Sequence, residues 1–104
     1  MHDFKSLKVW EKAHGLKLEI YRCTKDFPKE ELYSLTNQLR RAASSVPANI
    51  AEGCGKKTKA DFANFLNIAL GSANETEYFL ILSRDLNYIN QDNFNTLSKE
   101  ANDV

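Results

Sequence analysis

Two adjacent arginines, Arg40 and Arg41, and three lysines, Lys56, Lys57 and Lys59, are the side chains of this sequence best suited to bind something acidic. Guanidinium and ammonium groups make charge-assisted hydrogen bonds to phosphate oxygens, and binding releases counterions. No aromatic residues interleave these cations in the pattern of a recognised nucleic-acid-binding motif. The competing reading pairs polar groups with one another: Arg40, Glu52, Asp61 and Glu75 could form ion pairs between helices or between subunits.

Other constellations are weaker. Glu11 and His14 have the Glu-x-x-His spacing of di-iron bundles, but such sites need a second copy and two further glutamates. The only other histidine is His2, in the N-terminal arm. Cys54 lies between glycines and near Lys56 and Lys57, surroundings that could activate a thiol, yet no histidine is placed to form a catalytic pair. Gly53-Cys54-Gly55-Lys56-Lys57-Thr58 lacks the spacing of a phosphate-binding loop and follows no strand. The sequence predicts no catalytic residues, metal or cofactor.

The elements that carry these residues read as helices. Val9, Ala13, Leu16, Ile20, Cys23 and Phe27 recur at alternating steps of 4 and 3, the seam of a helix in a bundle. Ser6 is the expected N-cap of this helix, predicted at about 7–25. Pro28 and the following glutamates start a second helix, about 30–52, with Leu32, Leu35, Leu39, Ala42, Val46 and Ile50 on its inner face. Ala43, Ser44, Ala48 and Ala51 give that helix a small-residue flank. Pro47 interrupts it and should cost about 3 kcal/mol; the stripe resumes at Ile50, so a kink is expected there, not a break. Glu52 stands at the negative end of the helix dipole and needs a cation or water. Gly53 and Gly55 should end the helix.

Thr58 and Asp61 form a capping-box variant opening a third helix, about 59–86. Its stripe runs through Phe62, Phe65, Ala69, Ser72, Thr76, Phe79, Ser83 and Leu86. Leu70, Tyr78, Ile81 and Leu82 fall off that stripe, so the helix is apolar on more than one side and should be covered by another subunit. Asn90 caps a fourth helix, about 91–103, with Ile89 and Phe94 as a staple. The reading is one domain over 1–104: an all-α, antiparallel up-down four-helix bundle, helix 2 kinked at Pro47, helix 4 short or truncated.

Composition fits a globular chain. Hydrophobic residues make up 42% and charged residues 27%, and no apolar run exceeds the four residues Phe79–Leu82, too short for a membrane span. There is no signal-peptide pattern, so Cys23 and Cys54 are expected to be reduced thiols in the cytoplasm. The net charge of zero is unevenly spread: residues 1–60 hold 12 Lys+Arg against 7 Asp+Glu, residues 61–104 hold 2 against 7. Such asymmetry can mark a nucleic-acid face or two halves of a bundle that attract each other.

With these residues in view, the chain resembles the 23S rRNA intervening-sequence proteins, a four-helix-bundle family, over nearly its whole length. The resemblance is carried by Phe4-x-x-Leu7-x-Val9-Trp10-x-x-Ala13 and by Tyr21-x-x-Thr24-x-x-Phe27-Pro28-x-x-Glu31-x-Tyr33-x-Leu35. Gln38-Leu39-Arg40-Arg41-Ala42-Ala43-x-Ser45-Val46-Pro47-x-Asn49-Ile50-Ala51-Glu52-Gly53 follows, then Asp61-Phe62-x-x-Phe65-Leu66-x-Ile68-Ala69-x-Gly71-Ser72-Ala73-x-Glu75. It implies an up-down bundle assembling as a homopentamer. A related group, the accessory proteins of diversity-generating retroelements, resembles a pentameric bundle that binds nucleic acid and a reverse transcriptase. The expected function is therefore a non-enzymatic homo-oligomeric scaffold or binder of structured RNA or a nucleoprotein, with a pure protein–protein interaction module as the alternative.

Overall fold

A computed structural model describes residues 3–104. Among the described residues there are four α-helices and no strand: α1 (Lys8–Thr24), α2 (Leu35–Cys54), α3 (Lys59–Asp85) and α4 (Gln91–Asn102). Consecutive helices pack against each other, and α4 also closes back on α1. The sequence seams become the interior: Ala13, Leu16 and Ile20 of α1, Leu35, Leu39, Val46 and Ile50 of α2, Leu80 of α3, and Leu97 of α4 are buried.

The core has two parts along the bundle axis. One joins Leu16, Ile20 and Phe27 to Leu35, Leu39, Leu80, Phe94 and Leu97. The other gathers Ala13, Val46, Ile50, Cys54, Ala69 and Ala73. At this second end a short 3₁₀ turn, Phe4–Ser6, brings Phe4 against the bundle, where its ring meets Trp10 edge-on at 5.1 Å.

Helix termini follow local chemistry. Thr58 Oγ1 accepts from the Asp61 amide at 3.1 Å, and Asn90 Oδ1 from the Asn93 amide at 2.7 Å, so both expected caps form. The C-terminus of α3 closes in a Schellman motif: Tyr88 N donates to Ser83 O and Asn87 N to Arg84 O, with Asn87 left-handed at φ 64°. Asn tolerates that conformation because its short polar side chain lowers the steric cost.

Four expectations need correction. Ser6 does not cap α1; its hydroxyl donates to the Asp3 carbonyl within the 3₁₀ turn, and α1 starts after Leu7 without a side-chain cap. Helix 2 does not begin near residue 30. Pro28 and the glutamates do nucleate a turn, but it is the 3₁₀ segment Lys29–Glu31, and Ser34 leaves helical geometry at φ −127°, ψ −108°. That break turns Leu35 into the core and leaves Leu32 and Tyr33 exposed. Leu86 lies beyond the end of α3 and is exposed, so it does not extend the buried stripe.

The fourth concerns Gly53, which is inside α2 and not its terminator. A β-carbon there would stand 3.0 Å from Phe65 Cβ and 3.3 Å from the Phe62 carbonyl oxygen. The glycine is what allows α3 to cross so closely. Pro47 is accommodated within a continuous α2, whose helical assignment runs from Leu35 to Cys54.

Candidate nucleic-acid interface

Arg40 and Arg41 are one residue apart on α2 and so point about 100° apart around the helix axis. Arg40 turns toward α1. Its Nε donates to Thr24 Oγ1 at 2.8 Å and its guanidinium carbon lies 4.9 Å from the centre of the Tyr21 ring. Thr24 Oγ1 in turn donates to Ile20 O at 2.7 Å, which fixes the hydroxyl as an acceptor for Arg40. Arg41 turns toward α3 and lines a groove of about 390 Å³ with Gln38, Ser45, Ser72 and Glu75. Ser45 ties the floor of that groove together, accepting from Ser72 Oγ at 2.9 Å and from Asn49 Nδ2 at 2.8 Å.

The lysines form a separate patch. Sixteen residues of mostly helical rise put Lys56 about 24 Å from Arg40 along α2. Lys56 lies 5.1 Å from the Phe65 ring centre and 3.8 Å from Glu52 Oε1. Glu52 thus finds its cation one turn on, at the exposed end of its own helix. Lys57 is exposed on the connection to α3 and Lys59 on the first turn of α3. A single chain therefore offers two patches rather than one field, and in each one cationic group, Arg40 or Lys56, lies over an aromatic ring.

Among the described residues the ion pairs are Arg22 with Glu19, Lys56 with Glu52, and Arg84 with Asp85. None joins Arg40 or Arg41 to a carboxylate of the same chain. Asp61 serves its own helix start, and Glu75 shares the groove of Arg41.

The other candidates are placed apart. His14 stacks on Trp10, ring centres 5.0 Å apart and planes within 7°, while Glu11 is exposed; His2 lies outside the described residues. Among the described residues no group of three or more His, Cys, Asp and Glu side chains is arranged to hold a metal ion. Burial raises the Cys54 thiol above its ordinary range, the opposite of activation. Burial first, then Glu19, pushes Cys23 up to about 11, and its Sγ donates to Ile20 O at 3.4 Å. No described helix is long and apolar enough to cross a membrane.

Sequence reasoning passed over one group of residues. Thr24, Lys25, Lys29 and Thr36 line a small cavity beside Arg40, where the end of α1 meets the start of α2. No spacing or motif singles these residues out as a group, because they meet only once the two helices are docked.

The arrangement defines an up-down bundle of the four-helix class, with basic side chains displayed at two sites on α2 and just after it. The chain belongs to the 23S rRNA-intervening sequence protein family, whose pattern matches residues 5–104. It is also similar to a protein of unknown function from the S23 ribosomal protein family of Bacteroides thetaiotaomicron VPI-5482, whose crystal structure was determined at 1.70 Å. The two share 31% identity with a TM-score of 0.85, over 91% of this chain and 89% of that one. No curated protein matches the chain.

Proposed function

We propose that this protein is a non-enzymatic bundle that self-assembles through the outer face of α3, as a pentamer of the kind the family resemblance implies, and binds structured RNA. The observation that carries the reading is the outer face itself. Ile68, Leu70 and Tyr78 are 45%, 54% and 57% exposed on a helix whose opposite side already fills the core. Ile68 and Leu70 stand on opposite flanks of the outer half of the helix, about 160° apart, with Tyr78 between them. Large exposed apolar side chains spread over such a surface are what an interface between copies needs. Repetition around a ring would bring the Arg40–Arg41 and Lys56–Lys57–Lys59 patches of neighbouring copies into one continuous field.

Light scattering and fluorescence anisotropy with a structured ribosomal RNA fragment test the two halves of the proposal. Tyr78→Glu should reduce the particle to monomer. Replacing Arg40, Arg41, Lys56, Lys57 and Lys59 by Gln should leave the oligomer intact and abolish an RNA affinity that falls steeply with salt. Unchanged affinity in the five-fold variant refutes the assignment of these residues.

The location of Glu75 in the groove of Arg41 favours a second reading, a protein–protein interaction module without nucleic-acid binding. There Arg40, Glu52, Asp61 and Glu75 serve contacts between copies, and Arg40→Ala dissociates the oligomer. A ring that survives Arg40→Ala, together with salt-sensitive RNA binding by the wild type, excludes it.

A further inference from the structure

We propose that the cavity between the end of α1 and the first turn of α2 binds a tetrahedral oxyanion, specifically a phosphate group. Three cationic side chains, Lys25, Lys29 and Arg40, are among its lining residues, and no carboxylate is. Arg40 is already oriented: its Nε is engaged by Thr24 and its plane rests near Tyr21. The terminal guanidinium N–H groups have no carboxylate partner among the described residues.

A second, independent feature lies in the wall. Thr36 is 3% exposed and its Oγ1 is the one buried side-chain polar atom among the described residues without a hydrogen-bond partner. A buried hydroxyl left unpaired is costly, and a ligand oxygen would supply the missing acceptor. Thr36 is also the second residue of α2, a 20-residue helix whose N-cap Ser34 makes no side-chain capping bond. The amides of Leu35, Thr36 and Asn37 have no backbone acceptor among the described residues. The start of α2 is therefore both uncapped and positive, next to an unpaired hydroxyl donor.

The opposing end of α1 does not cancel this. Its carbonyls are occupied: Arg22 O accepts from Lys25 N, Cys23 O from Asp26 N and Thr24 O from Phe27 N. Glu31, the nearest carboxylate in sequence to the α2 start, accepts from Tyr88 Oη at 2.7 Å. The volume is small, about 130 Å³, a size suited to a single oxyanion.

The ligand could be a small free phosphate or the terminal phosphate of an RNA, and the test separates them. Inorganic phosphate is titrated into the ¹⁵N-labelled full chain at constant ionic strength, and amide shifts are followed by NMR. Saturable shifts at residues 35–37 and at Thr24 are expected, with no such response to chloride. Arg40→Gln should weaken the apparent affinity at least tenfold and Thr36→Val severalfold. Lys25→Gln with Lys29→Gln, two exposed changes that leave the fold untouched, should weaken it as well. Absence of saturation, an equal response to chloride, or unaltered affinity in all the variants overturns the proposal.

Competition identifies the source. An oligonucleotide with a 5′-phosphate that displaces inorganic phosphate, while its 5′-hydroxyl counterpart does not, assigns the site to an RNA end. Failure of both to compete while phosphate binds assigns it to a free phosphate. The site shares Arg40 with the proposed RNA interface but does not rest on it. Phosphate binding without RNA binding supports this site and refutes that interface.

Discussion

Thr36→Val should raise the stability of the ligand-free protein. The hydroxyl of Thr36 is sealed at 3% residue exposure and bonds to nothing in the described chain. In the unfolded chain the same hydroxyl is hydrated, and folding offers it no protein acceptor in exchange. An unsatisfied buried group of this kind costs about 1–3 kcal/mol. Valine keeps the β-branched shape, and its helix propensity is close to that of threonine. A gain of about 1–2 kcal/mol is expected, and for a domain near 100 residues each kcal/mol moves Tm by about 4–8 °C. Circular dichroism melts in phosphate-free buffer measure it directly. A melting point that is unchanged or lower in the variant means the hydroxyl has a partner in the free protein, and the reasoning fails. Repeating the melts in phosphate adds a second arm: the wild type should gain more than the variant, narrowing the difference.

Four further outcomes follow from packing and charge. Gly53→Ala forces a β-carbon to 3.0 Å from Phe65 Cβ, and should lower the unfolding free energy from urea titration by about 1 kcal/mol net of the propensity gain; Gly15→Ala, with nothing within 4 Å, should raise it by about 0.5–1 kcal/mol. Burial, then Glu19 and Asp103, lifts the Glu100 carboxyl above its usual range. A carboxyl raised in the folded state favours folding while protonated, and that contribution is lost as pH rises through the folded value. Glu100→Gln should therefore stabilise the protein at pH 7 and do so less at pH 4, as read by paired thermal melts. Glu77 Oε2 accepts from both Ser98 Oγ and Asn102 Nδ2 at 2.7 Å. Glu77→Ala should speed amide exchange throughout α4 and cost about 1–2 kcal/mol.

The helices were legible because their seams repeat at steps of three and four and because Thr58 and Asn90 announce their termini. The start of α2 was not. Pro28, Glu30 and Glu31 are good first-turn residues, and they do form a turn; that it stops and restarts at Leu35 is set by docking against α1, which local propensity does not contain. Gly53 shows the same limit. As a residue type it signals a helix end, and only the approach of Phe62 and Phe65 reveals a packing role. The basic residues were identifiable by type, but the divergence of Arg40 and Arg41 toward different neighbours depends on the rotation of α2 in the bundle. Thr36 carried no signal at all, since an orphaned hydroxyl exists only once its surroundings are built.

The division of the core into two clusters bears on how the molecule opens. The longer α2 and α3 run beside each other through both clusters, whereas α4 contributes its side chains to one and the Phe4–Ser6 turn leans on the other. Detaching α4 or the N-terminal turn exposes one end and leaves the other packed. Separating α2 from α3 dismantles both at once, so this hairpin is the unit through which the two ends unfold together. Its helices are adjacent in sequence and joined by a short connection, so the contacts that confer cooperativity are also the ones the chain closes with little loop entropy.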